Sequence, residues 1–178
     1  MVVVITGPIA SGKSTVAREL MCELERCGAL TGVIDLDLVC ESIAGDEPKS
    51  DAATWALARR VCAMRANALA AEGVAVVIAE GSYNAPEDRV AFSRHLSPGE
   101  APLFVTLRVG FDEALRRAQS DPTRGLSRDP AFLRAYFDAA DCWLAAVPAT
   151  DIVIDTERTT ATAAAIAIAG RVRLRASG

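Results

Sequence analysis

Val2-Val3-Val4-Ile5-Thr6 runs directly into Gly7-Pro8-Ile9-Ala10-Ser11-Gly12-Lys13-Ser14-Thr15, and this junction decides how the rest of the chain is read. The loop fits G-x-x-x-x-G-K-[ST] at every fixed position, with a β-branched run leading in and a helical pattern leading out. Each residue type has a physical task. Gly7 and Gly12 let the backbone take turns closed to side chains, so that successive N–H groups converge on phosphate oxygens. A helix starting at Lys13 adds the positive end of its dipole. Lys13 is expected to span the β- and γ-phosphates and the Ser14 hydroxyl to take a Mg²⁺ position, with Thr15 following in the first turn. The expected nucleotide-binding set is therefore Gly7, Pro8, Ile9, Ala10, Ser11, Gly12, Lys13, Ser14 and Thr15.

Outward from this loop, apolar runs alternate with helical patterns. Strands are expected at 2–6, 31–35, 74–80, 103–109 and 151–155. Each is a short Val-, Ile-, Leu- or Thr-rich run without period-2 alternation, as parallel strands buried on both faces require. Helices are expected at 13–27, 51–71, 86–95, 112–119, 130–147 and 159–173. In the first of them Val16, Leu20 and Leu24 recur four apart, with Arg18, Glu19, Glu23 and Glu25 between. Strand–helix alternation of this kind means an α/β fold with a mostly parallel sheet. No repeat or linker divides the 178 residues, which are expected to form a single domain, 1–178. The most punctuated stretches are 44–49, which holds Lys49, and Ser120-Asp121-Pro122-Thr123-Arg124-Gly125-Leu126-Ser127-Arg128-Asp129-Pro130.

Composition excludes several classes. Hydrophobic residues are 51% and charged residues 24%, which supports a packed core and argues against a disordered chain. No apolar stretch approaches the ~20 residues of a membrane span. The opening residues lack the basic region of a signal peptide, so a cytoplasmic protein is expected. A net charge of −4 argues against binding nucleic acid by bulk electrostatics. Five cysteines, including Cys40, Cys62 and Cys142, form no C-x-x-C pair, and the one histidine leaves no zinc ligand set; buried thiols are the expectation. Trp55 and Trp143 sit among apolar residues at helical positions, as core or as acceptor-pocket walls.

Three features together resemble the small P-loop kinases: shikimate, gluconate and adenylylsulfate kinases and the chloramphenicol phosphotransferase-like proteins. These features are the phosphate loop near residue 7, the acidic pair Asp35-Leu36-Asp37, and the arginines Arg116, Arg117, Arg124 and Arg128. The resemblance implies a three-layer P-loop fold with a five-stranded parallel sheet in the order 2-3-1-4-5. It also implies ATP as donor, Mg²⁺, and an Arg-bearing lid at about 117–130.

Asp35-Leu36-Asp37 resembles the Asp-x-Asp turn of shikimate and adenylylsulfate kinases, where the second acid faces the acceptor hydroxyl. A carboxylate at the C-terminal end of a parallel strand sits where ligands bind. There it accepts a hydroxyl proton or holds Mg²⁺ through water. Asp37 is the expected base and Asp35 its support, with helix capping near Leu38 as the other reading. Cys40 stands where adenylylsulfate kinases continue with an Arg, which argues against a sulfate-nucleotide acceptor. Glu80, ending the strand before Gly81-Ser82-Tyr83-Asn84, resembles the acid that orients Mg²⁺-bound water; it is the alternative base. Tyr83, Asn84 and Arg89 are read as acceptor contacts, with a solvated helix residue as the other reading of Arg89. Arg117, Arg124 and Arg128 are the lid candidates for the phosphates, since guanidiniums stabilise charge on a transferring phosphoryl group. By the same resemblance, Asp155-Thr156-Glu157-Arg158 is expected where such kinases pass the adenine edge.

The expected activity is transfer of the γ-phosphoryl group of ATP to a hydroxyl of a small molecule. A nucleoside or nucleotide kinase gripping phosphate with Arg59, Arg60, Arg65 and Arg89 is the alternative, and a non-catalytic ATP-binding switch is a third reading. Neither nucleic acid nor a membrane is an expected partner.

Overall fold

The computed structural model describes residues 1–45, 51–145 and 147–176; the side chains of 141–145 and of 176 are outside that description. The expectations for Lys49, Cys142 and Trp143 therefore lie outside the described residues. Strands β1 (Val2–Thr6), β2 (Thr31–Asp35), β3 (Val76–Glu80), β4 (Leu103–Arg108) and β5 (Ile152–Asp155) pair in parallel in the order β2-β3-β1-β4-β5. Helices α1 (Lys13–Arg26), α2 (Leu36–Ala44), α3 (Ala52–Ala71), α4 (Pro86–Ser93), α5 (Phe111–Ser120), α6 (Pro130–Ala145) and α7 (Ala161–Ala176) connect them. A short 3-10 helix, Gly125–Arg128, sits between α5 and α6. No helix among the described residues is long and apolar enough to cross a membrane.

The unbroken apolar strands reflect a sheet covered on both faces. Val3 and Ile5 join Val16 and Leu20 of α1 and Ile168 of α7 in one core. Val2 and Val4 join Leu36 of α2, Cys62 of α3 and Phe92 of α4 in the other. Adjacent residues of one strand thus serve opposite layers, each buried side chain of this size contributing roughly 1.5–3 kcal/mol. Alanines 164, 165 and 169 let α7 lie close against α1.

Boundaries moved where turn chemistry overrode apolar pattern. Val74 and Ala75 precede β3 because α3 ends in a Schellman motif. Gly73 takes φ +91°, its N–H bonds to the Ala70 carbonyl at 3.1 Å, and the Val74 N–H reaches back to Leu69 at 3.0 Å. Cys40 and Cys62 are buried as expected, but Cys22 and Cys27 are exposed. These two fall on the solvent side of α1 and its end, where the apolar period does not reach.

Gly81 locks the end of β3 against α2. Its φ is +146°, and a Cβ there would lie 2.5 Å from Leu36 Cβ. Both the backbone strain and the collision must be relieved, so Gly81→Ala is expected to cost about 2–4 kcal/mol of unfolding free energy. Urea denaturation measures it, and a midpoint equal to that of wild type would contradict this account.

Candidate active site

The phosphate loop leaves the central strand of the sheet, between neighbours β3 and β4, where open α/β sheets bind ligands. Gly7 has φ +150°, and a Cβ on it would stand 2.6 Å from the Leu107 carbonyl oxygen. Ala10 holds φ +61°, the one non-glycine residue with positive φ among those described. Such strain persists where surrounding structure over-determines it: the Ala10 carbonyl accepts from Arg117 Nη1 at 3.3 Å. Gly12 is the N-cap of α1, with no side chain capping the helix. The loop is thus built for an anion, with backbone N–H groups uncovered by side chains at a helix start.

Lys13 Nζ donates to the carbonyls of Gly7 and Pro8, both at 3.1 Å. Burial lowers its pKa, opposed by the carboxylates of Asp37 and Glu80. Register pairs Asp35 of β2 with Glu80 of β3, so both acids emerge at the same end of the sheet as the loop. Burial pushes the Glu80 carboxyl above its ordinary range, against a hydrogen bond with the Ser14 hydroxyl.

The acidic pair divides its work. Asp35 Oδ1 accepts from the N–H groups of Asp37 at 2.8 Å and Leu38 at 3.2 Å, capping α2. Asp37, in the first turn of that helix, is exposed and lines a cleft of about 600 Å³. Lys13, Ser14, Glu80 and Arg124 line the same cleft, with Trp55 of α3 and Phe132 of α6. Serine hydroxyl and carboxylate oxygens are hard donors suited to Mg²⁺, which takes few protein ligands beside phosphate. Among the described residues, no group of three or more histidine, cysteine, aspartate or glutamate side chains is placed to hold a metal ion.

The arginines separate. Arg117 is a clip: Nε pairs with Glu113 at 2.7 Å, Nη1 donates to Thr156 Oγ1 at 3.0 Å and Nη2 to the Thr156 carbonyl at 2.8 Å. It ties the phosphate loop to the turn after β5 and lines a second cavity of about 450 Å³ with Ser11, Thr15, Thr156 and Thr160. Arg124 borders both cavities and pairs with Asp121 at 3.2 Å. Arg128, closing the 3-10 helix, is exposed and lines neither; Arg116 pairs with Glu113 on the surface. In the turn proposed for the adenine edge, Thr156 is held by Arg117, and Glu157 Oε1 accepts from the Gly110 N–H at 2.6 Å.

Arg89 fits neither sequence reading. It is buried, pairs with Asp151 at 2.7 Å, donates to Thr106 Oγ1 at 3.1 Å and stacks on Phe104. Helix periodicity cannot show that a loop 62 residues later supplies its partner. Removing one member leaves a buried charge, so Asp151→Ala is expected to cost about 3–5 kcal/mol. Calorimetric unfolding tests this, and a loss below about 1 kcal/mol would mark the pair as an ordinary surface bridge.

Sequence reasoning missed three parts of the site. Thr6 Oγ1 donates to Asn84 Oδ1 at 2.6 Å and accepts from the Tyr83 N–H at 3.0 Å, tying β1 to the loop after β3. Burial pushes the Tyr136 hydroxyl up to about 12. α6 braces the phosphate loop by packing, with Leu133, Tyr136 and Phe137 clustered against Ile9 and Ala10. Glu41, one turn after Asp37, lines the cleft; its i,i+4 spacing was the available signal.

Comparison with known proteins follows this geometry. A family model described as AAA domain, AAA_33, matches residues 2–131. No curated protein sequence matches the chain. Among solved structures, the APS kinase of Mycobacterium tuberculosis in complex with AMPPNP and APS aligns at TM-score 0.68 and 20% identity, over 97% of this chain and 96% of that one. Shikimate kinase from Acinetobacter baumannii in complex with shikimate aligns at 0.63 and 19%, over 98% and 93%. A sugar kinase from Janibacter sp. aligns at 0.68 and 18%, over 94% and 92%. At such identities the likeness is one of fold, and the strand order 2-3-1-4-5 expected from the resemblance is the one observed. The family match runs from β1 through the arginine-bearing segment, well over half of the sequence, and so the chain belongs to the AAA_33 family of AAA domains.

Proposed function

We propose that the protein is an ATP-dependent small-molecule kinase of the cytoplasm, transferring the γ-phosphoryl group to an acceptor hydroxyl. The observation that carries this reading is the shared cleft: Lys13 and Ser14 of the phosphate loop, with Asp37 and Glu80, around space for a small acceptor. Two carboxylates in a cleft of acceptor size beside the phosphate loop favour transfer to an acceptor over a pure nucleotide switch.

In this reading Gly7 through Thr15 hold the phosphates by backbone N–H groups, and Lys13 moves from its loop carbonyls to the β- and γ-oxygens. Ser14, Glu80 and Asp37 would hold Mg²⁺, which supplies neutralisation of charge on the phosphates. Asp37 takes the hydroxyl proton as the acceptor oxygen bonds to phosphorus and the bond to the β–γ bridging oxygen breaks. Arg124 faces the phosphates, Arg117 holds the loop against the nucleotide side, and Arg128 joins on lid closure.

A nucleotide-monophosphate acceptor is the weaker alternative. Arg59 is committed to the Ser82 carbonyl and Asp88, and Arg89 to Asp151. Incubation with MgATP and pooled sugars, polyols, nucleosides, nucleotides and amino alcohols, read by mass spectrometry, tests the proposal. A phosphorylated product is expected. ADP formed at an equal slow rate with and without every acceptor would support the switch reading instead.

A further inference from the structure

Strand β2 is one edge of the sheet, and no further strand pairs with its outer side among the described residues. The Ala75 N–H bonds to the Leu30 carbonyl at 2.9 Å, so Leu30 faces β3 and, by the alternation of a strand, so do Gly32 and Ile34. Thr31 and Val33 therefore turn their backbone N–H and C=O groups outward. Thr31-Gly32-Val33-Ile34-Asp35 holds no lysine or proline, and its register against β3 runs without a bulge, so the usual devices that blunt an edge are missing.

A groove of about 630 Å³ follows this edge between α1 and α3. Met21, Val33 and Leu69 line it, with Leu38 of α2 beyond the end of the strand. Val33 is 42% exposed and Leu38 61%, leaving large apolar side chains in solvent. The groove lies against the last turns of α3, from Arg65 to the C-cap Glu72, about 20 Å along that helix from Ala52.

Charges flank the groove in the same pattern on both helices. α1 carries Arg18 and Glu25, and α3 carries Arg65 and Glu72, all four exposed. A spacing of seven residues puts each pair on one helix face, about 10 Å apart along the axis. Arg18, Arg65 and Glu72 form no ion pair among the described residues. Both helices run against the direction of β2, so the arginines flank its Asp35 end and the glutamates its Thr31 end. Thr31 Oγ1 indeed donates to Glu25 Oε1 at 2.9 Å. The midpoints also agree. Met21 and Cys22 lie about 5 Å along α1 from Glu25, and Val33 lies about 6.6 Å along β2 from Thr31. On α3 the midpoint falls at Ala68 and Leu69, and a Cβ on Gly32 would lie 3.1 Å from Leu69 Cδ1.

We infer that β2 pairs antiparallel with β2 of a second copy of this chain, about a twofold axis at Val33, joining the two sheets into one. Opposed residues of an antiparallel pair share a face, so the axis falls on a residue, and Val33 is the central one facing outward. The two Val33 residues exchange N–H···O=C bonds, and Thr31 stands opposite the partner's Asp35. The rotation carries each arginine end onto a glutamate end: Arg65 meets the partner's Glu72, and Arg18 meets the partner's Glu25. Such self-complementarity is what a twofold interface requires. A foreign strand would satisfy the backbone edge alone, whereas the matched spacing on two helices fits a second copy. This association is independent of the transfer reaction.

Sedimentation velocity of the full chain over about 1–100 μM tests it, a range that covers micromolar dissociation constants. Wild type is expected to reach twice the 18.7 kDa of the chain. Arg65→Glu and Glu72→Arg each set like charges across the axis, and each alone should weaken self-association at least about tenfold. Mixed in equal amounts, the two variants should associate again, because the heterodimer restores both opposite-charge contacts. Val33→Lys, at an exposed edge position, should also give monomer. Circular dichroism checks that each variant is folded. A wild type that stays at 18.7 kDa throughout would overturn the inference and leave the groove to a foreign strand or a small molecule. A dimer that none of the three variants weakens, or a mixture no more associated than its components, would overturn it equally.

Discussion

Lys13→Ala is expected to lower kcat for phosphoryl transfer by about 10²–10³-fold or more, the loss typical of removing one electrostatic stabiliser from a transition state. Its ammonium sits within the field of Asp37 and Glu80, with burial disfavouring its charged form. That placement has a consequence for stability. A lysine whose folded pKa lies below its unfolded one costs folding free energy while protonated, and stability rises as pH climbs through the folded value toward 10.5. Lys13→Ala should therefore leave the free protein at least as heat-stable as wild type at neutral pH. Lost catalysis with retained stability would locate the ammonium's value in phosphate binding. Rapid-quench kinetics and calorimetry together check this, and full activity would remove the basis of the nucleotide reading.

Asp37→Asn is the second large effect. A positioned general base contributes about 10²–10⁴-fold, and asparagine keeps the shape and the α2 turn while losing proton affinity. Since Asp35, not Asp37, caps α2, the helix start should survive the change. The drop is expected in kcat and to be far larger than the loss of MgATP affinity measured by calorimetry, since Asp37 is one of three residues that would hold Mg²⁺. Glu80→Gln provides the contrast: Glu80 is buried against Ser14, so its loss should weaken Mg²⁺-dependent nucleotide binding. Unchanged kcat in Asp37→Asn, with a collapse in Glu80→Gln, would transfer the base role to Glu80. Both results are read in the same stopped-flow assay of ADP release.

Much of the fold was legible in particular residues. The run Val2–Thr6 into Gly7 and the Gly12-Lys13-Ser14 turn needed no tertiary context, because only glycine permits those backbone angles and only parallel strands tolerate unbroken apolar runs. All five strands fell where apolar pattern placed them, with the start of β3 shifted by the Schellman turn at Gly73 and β4 and β5 each one residue shorter. Asp35 and Asp37 were found as a pair, yet their division of labour was open, since both a cap and a base are carboxylates near a helix start.

What the sequence by itself determined was therefore local: the phosphate loop, the strand–helix alternation and the acids at strand ends, all set by chemistry within a few residues. Tertiary structure decided everything that depends on a distant partner. Arg89 became a buried partner of Asp151, Arg117 a clip on Ala10 and Thr156, and Arg59 a ligand of Ser82. A guanidinium reaches whichever acceptor the folded backbone brings near. The arginine pattern of the chain therefore could not say which side chains would be left for a substrate, and the cleft that Glu41 and Trp55 line exists only once α2 and α3 stand side by side.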